Sequence, residues 1–181
     1  MHTAVKKCKI CEREFTPQYS TAQRVCGTKC AMQLARGNRQ KKAKKETSRM
    51  RREFNLKDRS YQLKQAQQHF NAYIRGRDAG NSCISCQKNS GAKMNAGHYL
   101  SVGAHPELRF ETLNCWLQCE KCNSFLSGNI ARYRINLIEL IGIDKVEWLE
   151  GPHEPKKYSI EEIIEIKDLY RAKLKALADK G

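Results

Sequence analysis

The 181-residue chain has no apolar run that approaches the roughly eighteen residues of a membrane helix, so we expect no membrane partner. Its first residues, MHTAVKKCKICERE, also lack an apolar stretch of signal-peptide length, and we therefore expect a cytoplasmic protein. Thiols stay reduced in that compartment. The nine cysteines consequently predict metal binding rather than disulfides. The length suits one medium domain or two small ones.

Acidic residues are scarce where basic residues are dense. The net charge is +15, but from Arg36 to Arg59 eleven Lys or Arg accompany only three acids, a local excess of +8, whereas Glu139–Gly181 carries −2. A polyanion such as nucleic acid is the simplest partner for this run. The alternative is a solvated basic helix that only aids solubility. The candidate DNA-binding residues are Arg36, Arg39, Lys41, Lys42, Lys44, Lys45, Arg49, Arg51 and Arg52.

The first 35 residues contain two closely spaced cysteine pairs. The pairs Cys8-x2-Cys11 and Cys26-x3-Cys30 are separated by fourteen residues, which suits one tetrahedral four-cysteine zinc site. The second pair suits entry into the first turn of a helix, which TKCAMQLARGNRQ supplies. We interpret residues 1–35 as a four-cysteine zinc finger, and four unligated thiols are the alternative.

Residues 36–58 contain good helix formers but no clear apolar face, which indicates a basic linker that is helical when it lies on DNA. A helix with an apolar face follows from Asp58 to Asp78, capped by Asp58 or Ser60. The residues at helical spacing are Leu63, Ala66, Phe70, Tyr73 and Ile74, and they predict packing rather than chemistry. We interpret residues 59–181 as a second domain.

A second set of four cysteines brackets the densest part of this second domain. The predicted ligands of a second zinc ion are Cys83, Cys86, Cys119 and Cys122. A site closed by four thiolates is structural, because it leaves no coordination position for a substrate. Such a site clamps two chain segments that a small core could not hold. We expect two strands between the clamped segments, near residues 96–102 and 108–113.

Three helices are predicted after the second cysteine quartet. An apolar stripe runs from Ile130 to Ile141 and stops at Gly142, and a short helix Asp144–Leu149 follows. The pattern Ser159-x-x-Glu162 is a capping box that opens a long last helix. Its apolar seam is Ile163, Ile166, Tyr170, Leu174 and Leu177.

A histidine and two asparagines lie at fixed offsets from this quartet. His98 falls between the cysteine pairs, Asn114 lies five residues before Cys119, and Asn123 directly follows Cys122. This order resembles the signature of the HNH nucleases, and NCWLQCEKCN carries its second half. The resemblance covers about residues 83–130 and implies a ββα-metal fold, in which two strands and a helix surround one catalytic metal.

A closer resemblance extends over nearly the whole chain. The motifs RSY…KQAQ, CISC, AGHY, LRF, QCEKCN and SGN, with the N-terminal cysteine finger, are similar to the NinG (Rap) recombination proteins of lambdoid phages. The expected fold class is α+β: a zinc finger, a basic helical linker, and a zinc-knuckle-stabilised HNH-like core flanked by helices. The resemblance implies an endonuclease for branched recombination intermediates, such as Holliday junctions and D-loops, in the host cytoplasm.

The resemblance also implies a role for each of the three residues. His98 would activate water, Asn114 would fix the loop or the imidazole, and Asn123 would ligate a catalytic Mg²⁺ or Mn²⁺. A neutral imidazole is a suitable base near pH 7. A hard cation relieves charge on the phosphate. The expected cofactors are therefore two structural Zn²⁺ ions and one catalytic divalent ion.

The sequence departs from the wider HNH pattern in two places. Gly97 stands where many of these enzymes carry an aspartate ligand, and the nearest polar neighbour upstream is Asn95. Leu126 and Ser127 stand where many carry a lysine. A softer metal bound by His98 itself is therefore an open alternative. So is a non-catalytic zinc-dependent DNA-binding protein with a degenerate HNH-like frame.

Structural roles are the alternatives for the individual residues. His98 could be hydrogen-bonded under the zinc knuckle, Asn114 could cap a turn, and Asn123 could cap the following helix. Cys115 fits neither quartet, and is either a small buried apolar residue or a competitor of Cys119 for zinc.

An RNA-binding protein would need an exposed aromatic cluster, which is missing from the sequence. A symmetric junction favours a homodimer, for which the seam of the last helix is one candidate surface.

Overall fold

The computed structural model describes residues 4–89 and 93–179. The chain divides into two compact units, Met1–Asn55 and Leu56–Gly181. Each unit contains one two-stranded sheet and one cluster of four cysteines that could hold a metal ion, so the expected α+β class is confirmed. Within the described parts of the chain, no helix is both long and apolar enough to span a membrane.

The first unit is a short antiparallel hairpin followed by most of a long helix. Strands β1 (Lys6–Lys7) and β2 (Glu14–Phe15) pair with Lys6 opposite Phe15. Helix α1 (Thr28–Lys57) has 30 residues and buries none of them. At 1.5 Å per residue it is about 45 Å long. Its lysines, arginines and glutamines are strong helix formers, so it needs no apolar face to adopt this conformation.

The core of the second unit is built on two helices that pack along each other. Helix α2 (Arg59–Arg77) begins at Asp58, whose side chain accepts a hydrogen bond from the Tyr61 amide at 2.9 Å. Helix α5 (Ile160–Ala178) packs against it and begins with the predicted capping box. The five predicted apolar residues of α2 lie in or against one core cluster, which also includes Ile163 and Tyr170 of the α5 seam.

A second hairpin lies against α2 and holds the residues of interest. Strands β3 (Met94–His98) and β4 (Cys115–Cys119) pair antiparallel, with His98 opposite Cys115. The prediction of a strand over residues 108–113 was wrong, and the predicted first strand was placed too late. Leu108 and Phe110 are buried, but they reach the core from a loop that contains the 3₁₀ turn Pro106–Leu108. A short apolar run indicates burial without fixing the backbone conformation.

The chain after β4 covers the other side of the second unit. A π-helical turn, Lys121–Phe125, leads to α3 (Ile130–Ile141) and α4 (Ile143–Glu150). The two helices meet at Gly142, whose φ of +89° suits glycine and confirms the predicted stop. They bury a second core cluster with the loop that precedes β4. Its fully buried members are Tyr133, Leu137, Val146 and Leu149.

Candidate functional site

The four sulfur atoms of the first cysteine quartet lie close together at one place in the first unit. The sulfur atoms of Cys8, Cys11, Cys26 and Cys30 all lie within 4.8 Å of one another. The Sγ atoms of Cys11 and Cys26 are 3.5 Å apart, and those of Cys26 and Cys30 are 3.7 Å apart. Four thiolates around Zn²⁺ at about 2.3 Å require sulfurs roughly 3.8 Å apart. Burial opposes ionisation of Cys8, but nearby backbone amides lower its pKa to about 6. The cluster therefore fits zinc.

The second quartet joins the turn before β3 to the end of β4. The sulfurs of Cys83, Cys86, Cys119 and Cys122 also lie within 4.8 Å of one another. The Sγ atoms of Cys86 and Cys119 are 3.9 Å apart, and the Cys122 amide is 3.5 Å from the Cys119 sulfur. Burial disfavours the Cys83 thiolate, yet backbone amides at the sulfur hold its pKa below the ordinary value. This cluster also fits a structural zinc ion.

His98 ends β3 with its imidazole held from two sides. Its Nε2 lies 2.9 Å from the Arg109 carbonyl oxygen. A carbonyl only accepts hydrogen bonds, so Nε2 carries the proton and Nδ1 keeps its lone pair. The ring stacks on Phe70 with centroids 5.8 Å apart. Burial lowers the pKa of His98 below its ordinary value, so the imidazole is neutral near pH 7.

Cys115, which belongs to neither quartet, lies beside this histidine. Its side chain is fully buried in the core between α2 and α5, and its Sγ is 3.7 Å from Nδ1 of His98. Burial raises the pKa of the Cys115 thiol, so it is an uncharged, weak donor. It is outside the metal cluster that includes Cys119. The expected small buried residue is confirmed, with a long contact to the histidine as an addition.

Asn114 ties down the loop between the two strands. Its Oδ1 accepts a hydrogen bond from the Leu100 amide at 2.8 Å. Its Nδ2 donates to the Leu100 carbonyl at 3.0 Å and to the Leu108 carbonyl at 3.4 Å. The side chain is fully buried. Its position supports the loop-fixing role among those expected for it.

Asn123 lies in the first turn after the second cysteine quartet, and it is half-buried. With His98, Ser101 and His105 it lines a groove of about 570 Å³. Within residues 4–89 and 93–179, no hydrogen bond engages the Asn123 side chain, so it does not cap a helix there. The structure thus brings His98 and Asn123 to one groove, while Asn114 supports the loop beside it.

The opposite face of the hairpin holds a buried glutamine that the sequence analysis missed. Gln118 is fully buried, and its Nε2 donates to Ser85 Oγ at 2.6 Å and to the Gly128 carbonyl at 2.5 Å. On the neighbouring strand, the Gly97 carbonyl accepts a hydrogen bond from Tyr133 at 2.9 Å. Alternation along a strand at residues 115–119 would have predicted this placement. The strand itself was expected elsewhere.

A second missed feature supports β4 from the end of α2. The Asp78 carboxylate accepts a hydrogen bond from the Leu117 amide at 3.0 Å. Arg77 pairs with Asp78 at 2.6 Å, donates to the Cys115 carbonyl at 3.0 Å, and stacks on Trp116 at 4.0 Å. These contacts fix β4, the strand that pairs with β3 and carries Cys115 opposite His98. Adjacent Arg and Asp at a helix end gave no distinct sign of this role in the sequence.

The nine candidate DNA-binding residues all lie on α1, and all are exposed. Among the described residues, the one ion pair within this set is Arg49 with Glu53 at 3.7 Å, on the helix surface. A solvated pair of this kind leaves most of the helix charge uncompensated. The helix therefore carries a strong positive potential along its length.

These features define a small α+β protein with two four-cysteine clusters that could hold metal, a basic helix and a histidine groove. The family model for the Bacteriophage Lambda NinG protein matches residues 2–180, and the chain belongs to the NinG family.

Three similar relatives are each named Protein ninG. That of Escherichia phage 933W is 40% identical over 96% of this chain and 94% of its own length. That of Salmonella phage P22 is 39% identical, covering 98% and 96%. That of Escherichia phage lambda is 39% identical, covering 96% and 94%. No solved structure matches the chain significantly.

Proposed function

We propose that this NinG protein is a metal-dependent endonuclease that cuts branched DNA, with an HNH-like ββα-metal core near residues 83–130. The observation that carries the proposal is the groove in which His98 and Asn123 meet. They come from a strand and a turn that the second cysteine quartet clamps together. A neutral histidine with a fixed tautomer beside an unengaged amide suits phosphodiester hydrolysis better than packing alone.

His98 acts as the general base in this mechanism. The Arg109 carbonyl holds the Nε2 proton, so Nδ1 removes a proton from a water molecule. The water oxygen forms a bond to phosphorus, and the bond from phosphorus to the leaving oxygen breaks. The leaving oxygen takes a proton from solvent. The Cys115 thiol lies 3.7 Å from Nδ1 and opposes rotation of the ring, so this mechanism requires water to reach Nδ1 beside the sulfur.

Asn123 is the first candidate to hold the catalytic cation. Its amide oxygen is the kind of hard ligand that Mg²⁺ or Mn²⁺ prefers, and its side chain is not otherwise engaged. The bound cation would neutralise charge on the phosphate and the leaving oxygen. A single neutral amide holds Mg²⁺ weakly, so waters and DNA phosphate must complete the shell. Affinity for the cation is therefore expected to rise when DNA is bound.

Helix α1 supplies the grip on DNA. Lysines and arginines that neutralise phosphates release condensed counterions, which makes binding strong and salt-dependent but indifferent to sequence. Preference for branched DNA is part of the proposal through the resemblance to the NinG recombination proteins. A homodimer on a two-fold junction remains a prediction, although the α5 seam packs within the chain against α2.

The second candidate is a zinc-dependent DNA-binding protein without catalysis. It is favoured by Gly97, which supplies no carboxylate beside His98, and by Leu126 and Ser127, which supply no lysine. Under this hypothesis the groove would bind DNA without cutting it. Asn123 would then have no metal to hold.

The deciding experiment incubates the protein with an end-labelled four-way junction and with a linear duplex of the same sequence. Parallel reactions contain Mg²⁺, Mn²⁺, or EDTA added briefly enough to leave the zinc sites loaded, which metal analysis verifies. We expect cleavage of the junction that needs Mg²⁺ or Mn²⁺ and is weaker on the duplex. Binding without metal-dependent cleavage would favour the non-catalytic candidate.

A further inference from the structure

A second histidine lines the candidate groove and has no part in the mechanism described so far. His105 shares the groove with His98 and Asn123, and its side chain is half-buried. Its Nδ1 lies 3.1 Å from a carboxylate oxygen of Glu107. A carboxylate accepts hydrogen bonds, so Nδ1 carries a proton and Nε2 is the nitrogen left for a ligand. Within residues 4–89 and 93–179, no hydrogen bond engages Nε2 of His105.

The loop that carries His105 also orients His98. The 3₁₀ turn Pro106–Leu108 joins His105 to Arg109, whose carbonyl oxygen lies 2.9 Å from Nε2 of His98. Leu108 is buried in the second core cluster, and its amide donates to the His105 carbonyl at 3.2 Å. One short, anchored segment therefore sets the position of His105 and the orientation of His98.

The carboxylate partner of His105 is fixed as well. The Tyr158 hydroxyl donates to the Glu107 carbonyl at 2.9 Å, and Tyr158 belongs to the core cluster between α2 and α5. The Glu107 side chain is only 14% exposed. A solvated ion pair has two mobile ends and orients neither. Here the carboxylate end is anchored, so it holds the plane of the His105 ring.

The two histidines of the groove have opposite electrostatic surroundings. Burial and the Arg109 cation lower the pKa of His98, and in the described parts of the chain no carboxylate is hydrogen-bonded to its ring. His105 has a carboxylate at Nδ1, and a DNA phosphate in the groove would add a second negative group near Nε2. Opposite charges within about 4–6 Å favour the charged form of a ring. Two titratable groups in such different surroundings suit the separate roles of base and acid.

We propose that His105 is the general acid of the cleavage reaction and that Glu107 orients it. Nδ1 of His98 takes a proton from water, the water oxygen forms a bond to phosphorus, and the bond to the leaving oxygen breaks. Nε2 of His105 gives its proton to that oxygen, in place of solvent, and the ring becomes neutral with its Nδ1 proton still on Glu107. Solvent then returns a proton to His105 and removes one from His98. This inference rests on the proposed nuclease function.

The test replaces the leaving oxygen with sulfur. Wild-type protein first cuts an ordinary four-way junction, and the product ends show which oxygen leaves. A second junction then carries sulfur at that bridging position. A thiolate leaves without a proton, because the pKa of a thiol, about 8.5, is far below that of an alcohol. In Mn²⁺, His105→Gln should slow single-turnover cleavage of the oxygen junction by about 10²- to 10⁴-fold, and that of the sulfur junction by less than about tenfold.

Three further variants show whether the effect belongs to the acid. His98→Ala should slow both junctions alike, because sulfur does not replace the base. Glu107→Gln removes the charge beside Nδ1 and should cause a smaller loss that sulfur also restores. His69→Gln is the matched control, since His69 lies on α2 and does not line the groove, and both rates should stay normal. Zinc content and the thermal midpoint verify that each variant folds.

The outcomes separate this inference from the proposed function. Equal slowing of both junctions by folded His105→Gln would overturn the acid role and leave the nuclease standing. Unchanged cleavage of the oxygen junction by this variant would do the same. Wild-type protein that cuts neither junction would contradict the nuclease itself, and the inference with it.

Discussion

The two cysteine clusters have the same four ligands but very different surroundings. Among the described residues of the first unit, only Cys8 and Val25 are buried, whereas the second unit has two apolar core clusters besides its cysteines. If a metal binds its cysteine cluster, we expect the first unit to depend on that metal for most of its folding free energy. In the second unit we expect a metal to act locally, on the geometry of the hairpin. The same motif can thus serve as a fold's main support or as a clamp on a site.

Removal of zinc should expose this difference most clearly. Structural zinc in small fingers contributes about 10–16 kcal/mol at pH 7. We expect about two zinc ions per chain, and Cys8→Ser should unfold residues 4–27. Cys83→Ser should open the end of the hairpin while α2 and α5 stay packed. Hydrogen exchange on the two variants measures both effects. Fewer than two zinc ions, or equal exchange throughout both variants, would contradict the comparison.

Replacement of His98, in the second unit, should reduce cleavage. It should not change DNA binding by the first unit. His98→Ala should lower the cleavage rate by about two to four orders of magnitude, because the general base is lost. Junction affinity should change little, since no lysine or arginine is removed. The measurements are single-turnover cleavage and a binding titration at equal zinc content. A folded variant that cuts at the normal rate would make His98 a bystander.

Neutralising the lysines of α1 should have the opposite effect to His98→Ala: DNA binding should weaken. If roughly six phosphates are contacted, raising salt from about 50 to 200 mM should weaken junction binding on the order of 10³-fold. Changing Lys41, Lys42, Lys44 and Lys45 to glutamine should flatten the salt dependence by up to roughly 0.9 per lost phosphate contact. The control changes four exposed lysines of the second unit: Lys64, Lys145, Lys157 and Lys175. An equal loss in the control would place the DNA footprint elsewhere.

The two asparagines should differ in stability and in metal use. Asn114→Ala leaves the Leu100 amide and two carbonyls of the loop without their partner, and should lower the free energy of unfolding by about 1–3 kcal/mol. Asn123→Ala breaks no side-chain hydrogen bond within residues 4–89 and 93–179 and should leave stability nearly unchanged, while it raises the Mg²⁺ concentration needed for cleavage. Urea denaturation and metal titration check the pair. Equal destabilisation by both changes would mean that Asn123 is structural.

The smallest expected effect is on pH dependence. Burial lowers the pKa of His98 below 6.5, with a smaller contribution from the Arg109 cation, while the Arg109 carbonyl opposes the shift. The facing Cys115 thiol stays uncharged because burial raises its pKa. As pH falls below 6.5, the unfolded chain therefore takes up a proton before the folded chain does, and stability declines. Wild type should lose more stability than His98→Gln as pH falls from about 7 to 5. The acid limb of kcat/KM should lie below pH 6.5. Identical stability profiles would refute the shift.

Residue types and spacing predicted the helices, the caps and both metal quartets, because these depend on local sequence. The resemblance to the HNH signature also predicted that His98 and Asn123 belong together, and both residues line one groove. The position of β4 was missed because Leu108 and Phe110 are apolar in a loop. Gln118 was missed for a related reason: its meeting with Gly97 depends on strand register, which two residues far apart in sequence do not reveal. His98 is oriented by the backbone carbonyl of Arg109. Every residue has such a carbonyl, so the sequence could not have predicted this contact.

If α1 binds DNA as we propose, the even distribution of charge around it has a consequence for the shape of the DNA. At 100° per residue, its eleven basic side chains leave no gap wider than about 60° around the helix axis. Such a rod has no preferred side, and at about 45 Å it exceeds the roughly 35 Å of one turn of B-DNA. A linear duplex can neutralise only the cations that face it. Two diverging DNA arms can enclose the helix from both flanks, so a crossing of duplexes satisfies this charge more fully than a single duplex does.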